Sequence, residues 1–412
     1  MQKIAVLGHG VVGSGVCEIL TQKKDAIQKQ AGKDIELGYV LVRRDYENIS
    51  YSNLFVKDYN IILNDPEVTV VAEVMGGIEP AFTYAKQALE KGKNVVTSNK
   101  ELVAVKGAQL LALARKYNVN FMFEASVAGA IPVIRPLHQC LVANEIQSIT
   151  GILNGTTNFI LTKMIKEKST FEDALKLAQE LGYAESDPTA DVEGLDACRK
   201  ICILASLAYG KQILPTNVTC EGITKITPED VAYASSWGGV IKLIGSADLR
   251  NDGKIDILVA PRFVSLNSRL SGVDDVFNAI SVVGDCTGEV VFYGKGAGKL
   301  PTGSAVVADI IDCIVKTENI TSLYWEESKK SIVSDPFKIV CMMYVRLKYD
   351  EVVQLKELQE LFSPYRELQR PGQPDDEIAF ITPFDAVGDH MRKLRLLEIH
   401  GVELLAAIRI LN

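Results

Sequence analysis

Apolar residues recur along this chain in two rhythms. Short unbroken runs suit buried parallel strands, and longer stretches with an apolar return every three or four residues suit amphipathic helices. In the first third the runs are Lys3–Leu7, Ile35–Val42, Thr69–Val74, Asn94–Thr97 and Asn120–Glu124, and helical stretches fall at Ser14–Gln22, Pro80–Lys91 and Glu101–Tyr117. Strands and helices in alternation predict an α/β domain with a doubly wound parallel sheet. Further on, a strand at Ile149–Leu153 leads into a helix opened by Asn154-Gly155-Thr156-Thr157-Asn158, and a second helix spans Phe171–Leu181. Residues 320–334 are polar and mixed in charge, as a connector would be. Beyond them the pattern predicts a strand (Lys338–Leu347), a helix (Val352–Phe362), a strand (Glu377–Thr382), a helix (Phe384–Leu394) and a strand (Val402–Ile410).

The first strand runs straight into Gly8-His9-Gly10-Val11-Val12-Gly13. Between a strand and a helix, Gly-x-Gly-x-x-Gly is a dinucleotide fingerprint: the first glycine makes the tight turn, the second admits the pyrophosphate, and the third packs helix on sheet. Amides and dipole at the helix start then face the anion. At the end of the second strand, where an acidic residue would take the ribose hydroxyls, Arg43-Arg44 precedes Asp45. An arginine pairs with a 2′-phosphate, so NADP is favoured, through Arg43 first, while Asp45 keeps NAD use open. Strand ends line the ligand crevice of such sheets, which places Thr97, Ser98 and Lys100 near the cofactor.

In the middle of the chain, Gly182-Tyr183-Ala184-Glu185-Ser186-Asp187-Pro188-Thr189-Ala190-Asp191-Val192-Glu193-Gly194-Leu195-Asp196 puts five carboxylates within the twelve residues from Glu185 to Asp196. Gly182 ends one helix, Asp-Pro favours a turn, and a new helix from Leu195 carries Asp196 and Lys200 at i and i+4 on one face. An acidic loop is ordinarily solvated surface and such a pair ordinarily a helix ion pair. A carboxylate loop beside a lysine nevertheless suits an amino-acid substrate, with an ammonium to hold and a proton to transfer. The whole string, from Ala178 through Gly182-Tyr183-Ala184, Asp187-Pro188 and Asp191-Val192-Glu193-Gly194-Leu195-Asp196 to Lys200, resembles the signature of homoserine dehydrogenases at every fixed position. Val71–Gly77 and Val96-Thr97-Ser98-Asn99-Lys100 are similar to family segments too, and the resemblance spans roughly residues 1–315.

That resemblance implies reversible hydride transfer between NAD(P)H and L-aspartate 4-semialdehyde, giving L-homoserine for threonine, methionine and isoleucine biosynthesis. It implies Lys200 as general acid and base, Lys100 as electrostatic support for the developing alkoxide, and Asp196 as the group that orients substrate and Lys200. Glu185 would pair with the substrate ammonium, Asp191 standing second, and Tyr183, Gly155 and Thr156 would border the substrate. Gly8, Gly10, Val11, Val12, Gly13, Arg43, Thr97, Ser98, Lys100 and Gly303, the last in Pro301–Asp309, would meet the cofactor. The carbonyls of Glu124, Val127, Gly129 and Ile131 would ligate a monovalent cation such as sodium; from the residues alone this stretch is a tight turn. The tail resembles an ACT domain by element order and Ile378–Pro383, yet Tyr349-Asp350-Glu351-Val352-Val353 lacks the glycine that lets an effector approach the backbone.

The predicted architecture is a Rossmann-type domain over 1–134 with 299–318 returning, a mixed α+β catalytic and dimerisation domain over 135–298, and a small ferredoxin-like ACT-type tail over 336–412. With 412 residues, 47% hydrophobic and 23% charged, the chain is a globular protein of two or three domains. A net charge of −8 offers no basic face for nucleic acid, and no apolar run approaches the ~18 residues of a membrane span. Eight cysteines without a Cys-x-x-Cys pair suggest buried free thiols in a reducing compartment, and four histidines show no metal spacing. Met1-Gln2-Lys3 leads directly into a core-like strand with no room for a signal peptide, so a cytoplasmic location is expected, and the resemblance implies a homodimer or homotetramer. The glycine-rich 284–298 lacks the Gly-Lys-Ser/Thr ending of a phosphate loop, which excludes an NTPase. Another amino-acid dehydrogenase, of the aspartate-deaminating type, and a non-catalytic NADP-binding amino-acid sensor remain open as alternatives.

Overall fold

The computed structural model describes residues 2–315, 323–328, 331–350 and 352–411. The chain falls into two compact units: one of Met1–Ile146, Arg199–Pro215 and Val283–Ser331, the other of Gln147–Cys198, Thr216–Val282 and Ile332–Asn412.

The first unit holds strands β1 (Gln2–Leu7), β2 (Ile35–Leu41), β3 (Phe55–Val56), β4 (Val68–Glu73), β5 (Asn94–Thr97) and β6 (Phe121–Met122). They form a parallel sheet in the order β3-β2-β1-β4-β5-β6. The order reverses beside β1, which puts a topological switch point at the carboxyl ends of β1 and β4. Val68, Val70, Val71 and Ala72 are buried along β4, as a two-faced parallel strand requires. Helix Lys299–Val315 returns onto helix Val11–Gln22, and its Val306, Ile310 and Ile314 join Ile4, Val6 and Val16 in one core. The last strand is shorter than predicted because Glu124 leaves it for a turn.

The second unit is built on a mixed sheet that the periodicity largely missed. Strands β7 (Ile146–Ile152), β8 (Thr219–Cys220), β9 (Gly239–Leu249), β10 (Ile255–Ser265) and β11 (Phe277–Gly284) supply its middle part; β12 (Gly288–Lys295) belongs to the first unit's residues. β9 and β10 pair antiparallel from Ile255↔Leu249 to Ser265↔Gly239. Both are buried almost throughout, including the polar Lys242, Ser246 and Arg262, so no alternation marks them.

The tail contributes β13 (Val340–Cys341), β14 (Met343–Lys348), β15 (Arg366–Leu368), β16 (Glu377–Ile381), β17 (Asp385–Ala386) and β18 (Glu403–Ile410), with helices Val352–Phe362 and Val387–Ile399. The predicted strand 338–347 is split, and the second tail helix starts three residues late because Asp385 and Ala386 pair with Val340 and Cys341. Its four main strands lie in the order β18-β14-β16-β15, a ferredoxin-like arrangement. β18 also pairs parallel with β10 at Arg262↔Arg409 and Phe263↔Ile410, so the tail sheet continues the middle one. The join is charged and buried: Arg346 sits against Asp230 at 3.1 Å and Glu377 at 3.4 Å. Tyr233 and Tyr344 donate to Glu377 and Asp230, at 2.7 and 3.0 Å. Of the connector and the Asp350–Val353 turn, residues 316–322, 329, 330 and 351 lie outside the described residues.

Candidate active site

Gly8, at the end of β1, has φ +103, a conformation that glycine adopts without strain. A Cβ at Gly13 would collide with the Gly8 carbonyl, and one at Gly10 would meet nothing within 4 Å. The third glycine thus packs the helix against the turn, and the second faces open space. That space is a cavity of about 730 Å³ lined by Gly8, His9, Gly10, Arg43, Arg44, Lys57, Met75 and Gly76. Three cations and the glycine turn on one cavity fit a dinucleotide with an added phosphate. Asp45, the candidate acid for the ribose, forms an exposed ion pair with Lys57 at 2.8 Å.

Lys57 and His9 were not legible in the sequence as lining residues. Lys57 arrives from a loop twelve residues beyond Asp45. His9 is 9% exposed among Tyr46, Tyr51 and Phe55, its Nε2 2.9 Å from the Tyr51 hydroxyl. Burial, with Lys299 nearby, holds its pKa below the ordinary histidine value.

The predicted strand-end residues play a supporting part. Thr97 is fully buried and donates to Glu73 Oε2 at 2.6 Å, and Glu73 Oε1 accepts from Met75 N at 2.8 Å. Burial pushes the Glu73 carboxyl above its usual range. Its bonds hold the turn Met75-Gly76-Gly77, with φ of +85 and +72 at the two glycines, against the cavity. The Ser98 amide bonds the Glu73 carbonyl at 3.4 Å. Val11 is exposed, while Val12 packs against the core. Gly303 permits a close approach to main chain, that of Gly15 and Val16: a Cβ there would lie 3.1 Å from both, so its contact is helix against helix.

In the same unit Lys100 is the first residue of helix Lys100–Lys116, capped by Asn99, whose side chain accepts from Leu102 N. Lys200 is only 7% exposed on helix Leu195–Tyr209. Lysine seldom reaches that burial without a partner or a task. Beside them in sequence, Arg199 Nη2 donates to Glu101 Oε1 at 2.7 Å.

The turn after β6 is anchored by Glu124, which is 4% exposed and accepts main-chain bonds from Val133, Ile134 and Arg135 at 2.7–2.9 Å. Asp309 takes the Glu124 amide and Arg135, and burial pushes its carboxyl up to about 7. Ala128 and Gly129 follow with φ of +54 and +56. A Cβ at Gly129 would strike the Gly296 carbonyl at 2.6 Å.

In the second unit one side chain organises the acidic loop, and it is Asn154, the N-cap of helix Gly155–Glu167. Its Nδ2 donates to Asp191 Oδ1 at 2.7 Å and to Asp196 Oδ2 at 2.9 Å, while its Oδ1 caps Thr157 N at 2.8 Å. Thr156 donates to the Tyr183 carbonyl at 2.7 Å, and the Tyr183 ring lies edge-on to Phe159 at 5.1 Å. Gly155 is required because a Cβ would lie 2.8 Å from the Val276 carbonyl. Glu185 is exposed, its carbonyl held by Gln179 at 3.1 Å. The structure therefore brings Asp191 and Asp196 together and leaves Glu185 at the rim. Asn154 reads in sequence as a cap alone, because the second carboxylate it joins is forty-two residues away.

All eight cysteines are free; Cys140 and Cys286 are exposed, not buried as expected. Among the described residues no three His, Cys, Asp or Glu side chains group to hold a metal, and no helix is long and apolar enough to cross a membrane.

A parallel sheet with a glycine turn and a cationic cavity at its switch point defines a dinucleotide-binding protein. Residues 8–124 match the family described as "Homoserine dehydrogenase, NAD binding domain", and residues 132–311 that described as "Homoserine dehydrogenase". The homoserine dehydrogenase of Bacillus subtilis is 41% identical over 92% of this chain and 90% of its own length. The crystal structure of a homoserine dehydrogenase from Thiobacillus denitrificans superposes with a TM-score of 0.92 at 32% identity, covering 100% of this chain and 98% of that one. A hyperthermophilic archaeal homoserine dehydrogenase mutant in complex with NADPH covers 76% of this chain and 98% of its own, with a TM-score of 0.65 and 28% identity. The chain belongs to the homoserine dehydrogenase family, oxidoreductases that act with a nicotinamide cofactor.

Proposed function

We propose that this chain reduces L-aspartate 4-semialdehyde reversibly to L-homoserine with NADPH. The observation that carries the amino-acid substrate is the Asn154 amide shared by Asp191 and Asp196, which gathers two carboxylates beside a helix start. A helix N-terminus suits the substrate carboxylate and the carboxylates suit its ammonium. The bound nicotinamide supplies the hydride. Lys200, one turn beyond Asp196 on its helix, gives the carbonyl oxygen its proton and recovers it in the reverse direction. Lys100 stabilises the developing alkoxide. Asp191 takes the ammonium ahead of Glu185, whose side chain is exposed on the loop.

The preference for NADP rests on Arg43, Arg44 and Lys57 around the cavity and on the pairing of Asp45 with Lys57. A monovalent cation, most simply sodium, belongs at the carbonyls of Glu124, Val127, Gly129 and Ile131. The three amide bonds to the Glu124 carboxylate commit that side chain elsewhere and leave its carbonyl as the donor. We assign nucleotide binding to 1–134 and 299–318, of which 316–318 lie outside the described residues. Catalysis and dimerisation belong to 135–298, and an ACT-type role in assembly to 336–412, within a cytoplasmic homo-oligomer of threonine, methionine and isoleucine biosynthesis. The deciding experiment is oxidation of NADPH on addition of aspartate semialdehyde, repeated with NADH. No turnover with either sinks the reading, and ammonia release in the oxidative assay would establish the deaminating alternative.

A further inference from the structure

Arg199 and Glu101 stand next to the two lysines in sequence, and both belong to the first unit. Glu101 is in the first turn of helix Lys100–Lys116, where a negative charge also suits the helix dipole. Its carboxylate accepts from Arg199 Nη2 at 2.7 Å, with the two side chains 37% and 24% exposed. This joins positions ninety-eight residues apart. Successive Cα atoms are held ~3.8 Å apart, so whatever fixes Glu101 fixes the root of Lys100, and Arg199 does the same for Lys200.

A second tie shows that the helix is held at more than this point. Gln212 Nε2 donates to the Ala104 carbonyl at 2.7 Å and its Oε1 accepts from Ala108 N at 3.0 Å. The amide thus engages both groups that an ordinary helical bond would join. Trp325 Nε1 donates to the same Oε1 at 2.8 Å, and the indole covers Gly107, where a Cβ would collide with it. Glu101, Ala104 and Ala108 are spaced by three and four residues, so both ties use one helix face. The Gln212 tie sets the helix against its neighbour, and the ion pair sets the end that carries Lys100.

We propose that Glu101 and Arg199 are a positioning pair for the reaction, fixing the Lys100 and Lys200 ammonium groups relative to each other without touching substrate. The proposal rests on the catalytic reading of those lysines. Arg199→Met and Glu101→Gln should each lower kcat by ~10–100-fold, the scale on which a 1 Å misplacement is felt. The KM for NADPH should stay within about twofold, because the cofactor cavity is untouched. Arg199→Lys keeps the charge but not the planar fork, and should fall between wild type and Arg199→Met. The exchanged double variant, Glu101→Arg with Arg199→Glu, should regain ~tenfold or more over the single variants if the pair acts as a unit.

Lys200→Ala separates the two ideas. A Lys200→Ala enzyme with near-wild-type turnover overturns the catalytic reading and the proposal with it. Loss of turnover in Lys200→Ala alongside full kcat in Arg199→Met overturns the proposal alone. A parallel fall of kcat and Tm in both single variants, with no recovery in the exchange, assigns the pair to stability and overturns it as well.

Discussion

Asn154 does three things with one side chain: it caps a helix, ties Asp191 and ties Asp196. Replacing it by leucine leaves two neighbouring carboxylates without their common donor. Asn154→Leu should raise the KM for aspartate semialdehyde at least ~tenfold, consistent with about 1.5–3 kcal/mol for a charge-assisted hydrogen bond. The same assay ranks the carboxylates. Asp191→Asn should raise that constant more than Glu185→Gln, and the reverse order would return the ammonium to Glu185. At the other ligand, Arg43→Ala should weaken NADPH selectively and leave NADH almost unchanged, since only NADPH carries the 2′-phosphate. Equal loss with both would make Arg43 a structural residue.

At the scale of elements, three glycines of one helical region have three duties. Gly10 faces the cavity, Gly13 the β1 turn, and Gly15 the main chain of Lys299 on the returning helix. Their substitutions should therefore fail in different assays. Gly15→Ala should lower stability by about 1–3 kcal/mol, seen as a drop in Tm, because the two helices must part. Gly10→Ala should fold normally and lose cofactor affinity, seen by titrating NADPH fluorescence; unchanged affinity would place the pyrophosphate elsewhere. The parallel strands were legible because their apolar runs are nearly continuous, and the fingerprint helix because the first of those runs ends in Gly8-x-Gly10. β9 and β10 were not, since burial on both faces removes the alternation that identifies a strand.

Across the whole second unit, β18 belongs to the same sheet as β10, and the charges at the join are buried. Arg346 is 8% exposed between Asp230 at 1% and Glu377 at 6%. Arg346→Met should cost about 3–5 kcal/mol of stability, the penalty for leaving a buried charge without its partner. Removal of residues 336–412 would strip Asp230 of Arg346 and Tyr344, strip Tyr233 of Glu377, and expose an edge of β10. The truncated chain should aggregate or lose activity through instability. A soluble, fully active truncation would show that the join carries no load.

The nucleotide turn, the alternation of the first domain, the family and the acidic string could be read from the chain, because each depends on residues close together along it. Local spacing also decided that Asp196 and Lys200 share a helix face. Tertiary structure alone decided which carboxylate joins Asp196. It also showed that Lys57 pairs with Asp45, that Gly303 packs against the main chain of Gly15 and Val16, and that the tail shares a sheet with the middle of the chain. Each of these rests on a contact between residues from twelve to nearly three hundred positions apart. Such contacts are chosen by how whole elements pack, and no local pattern of polar and apolar residues encodes them.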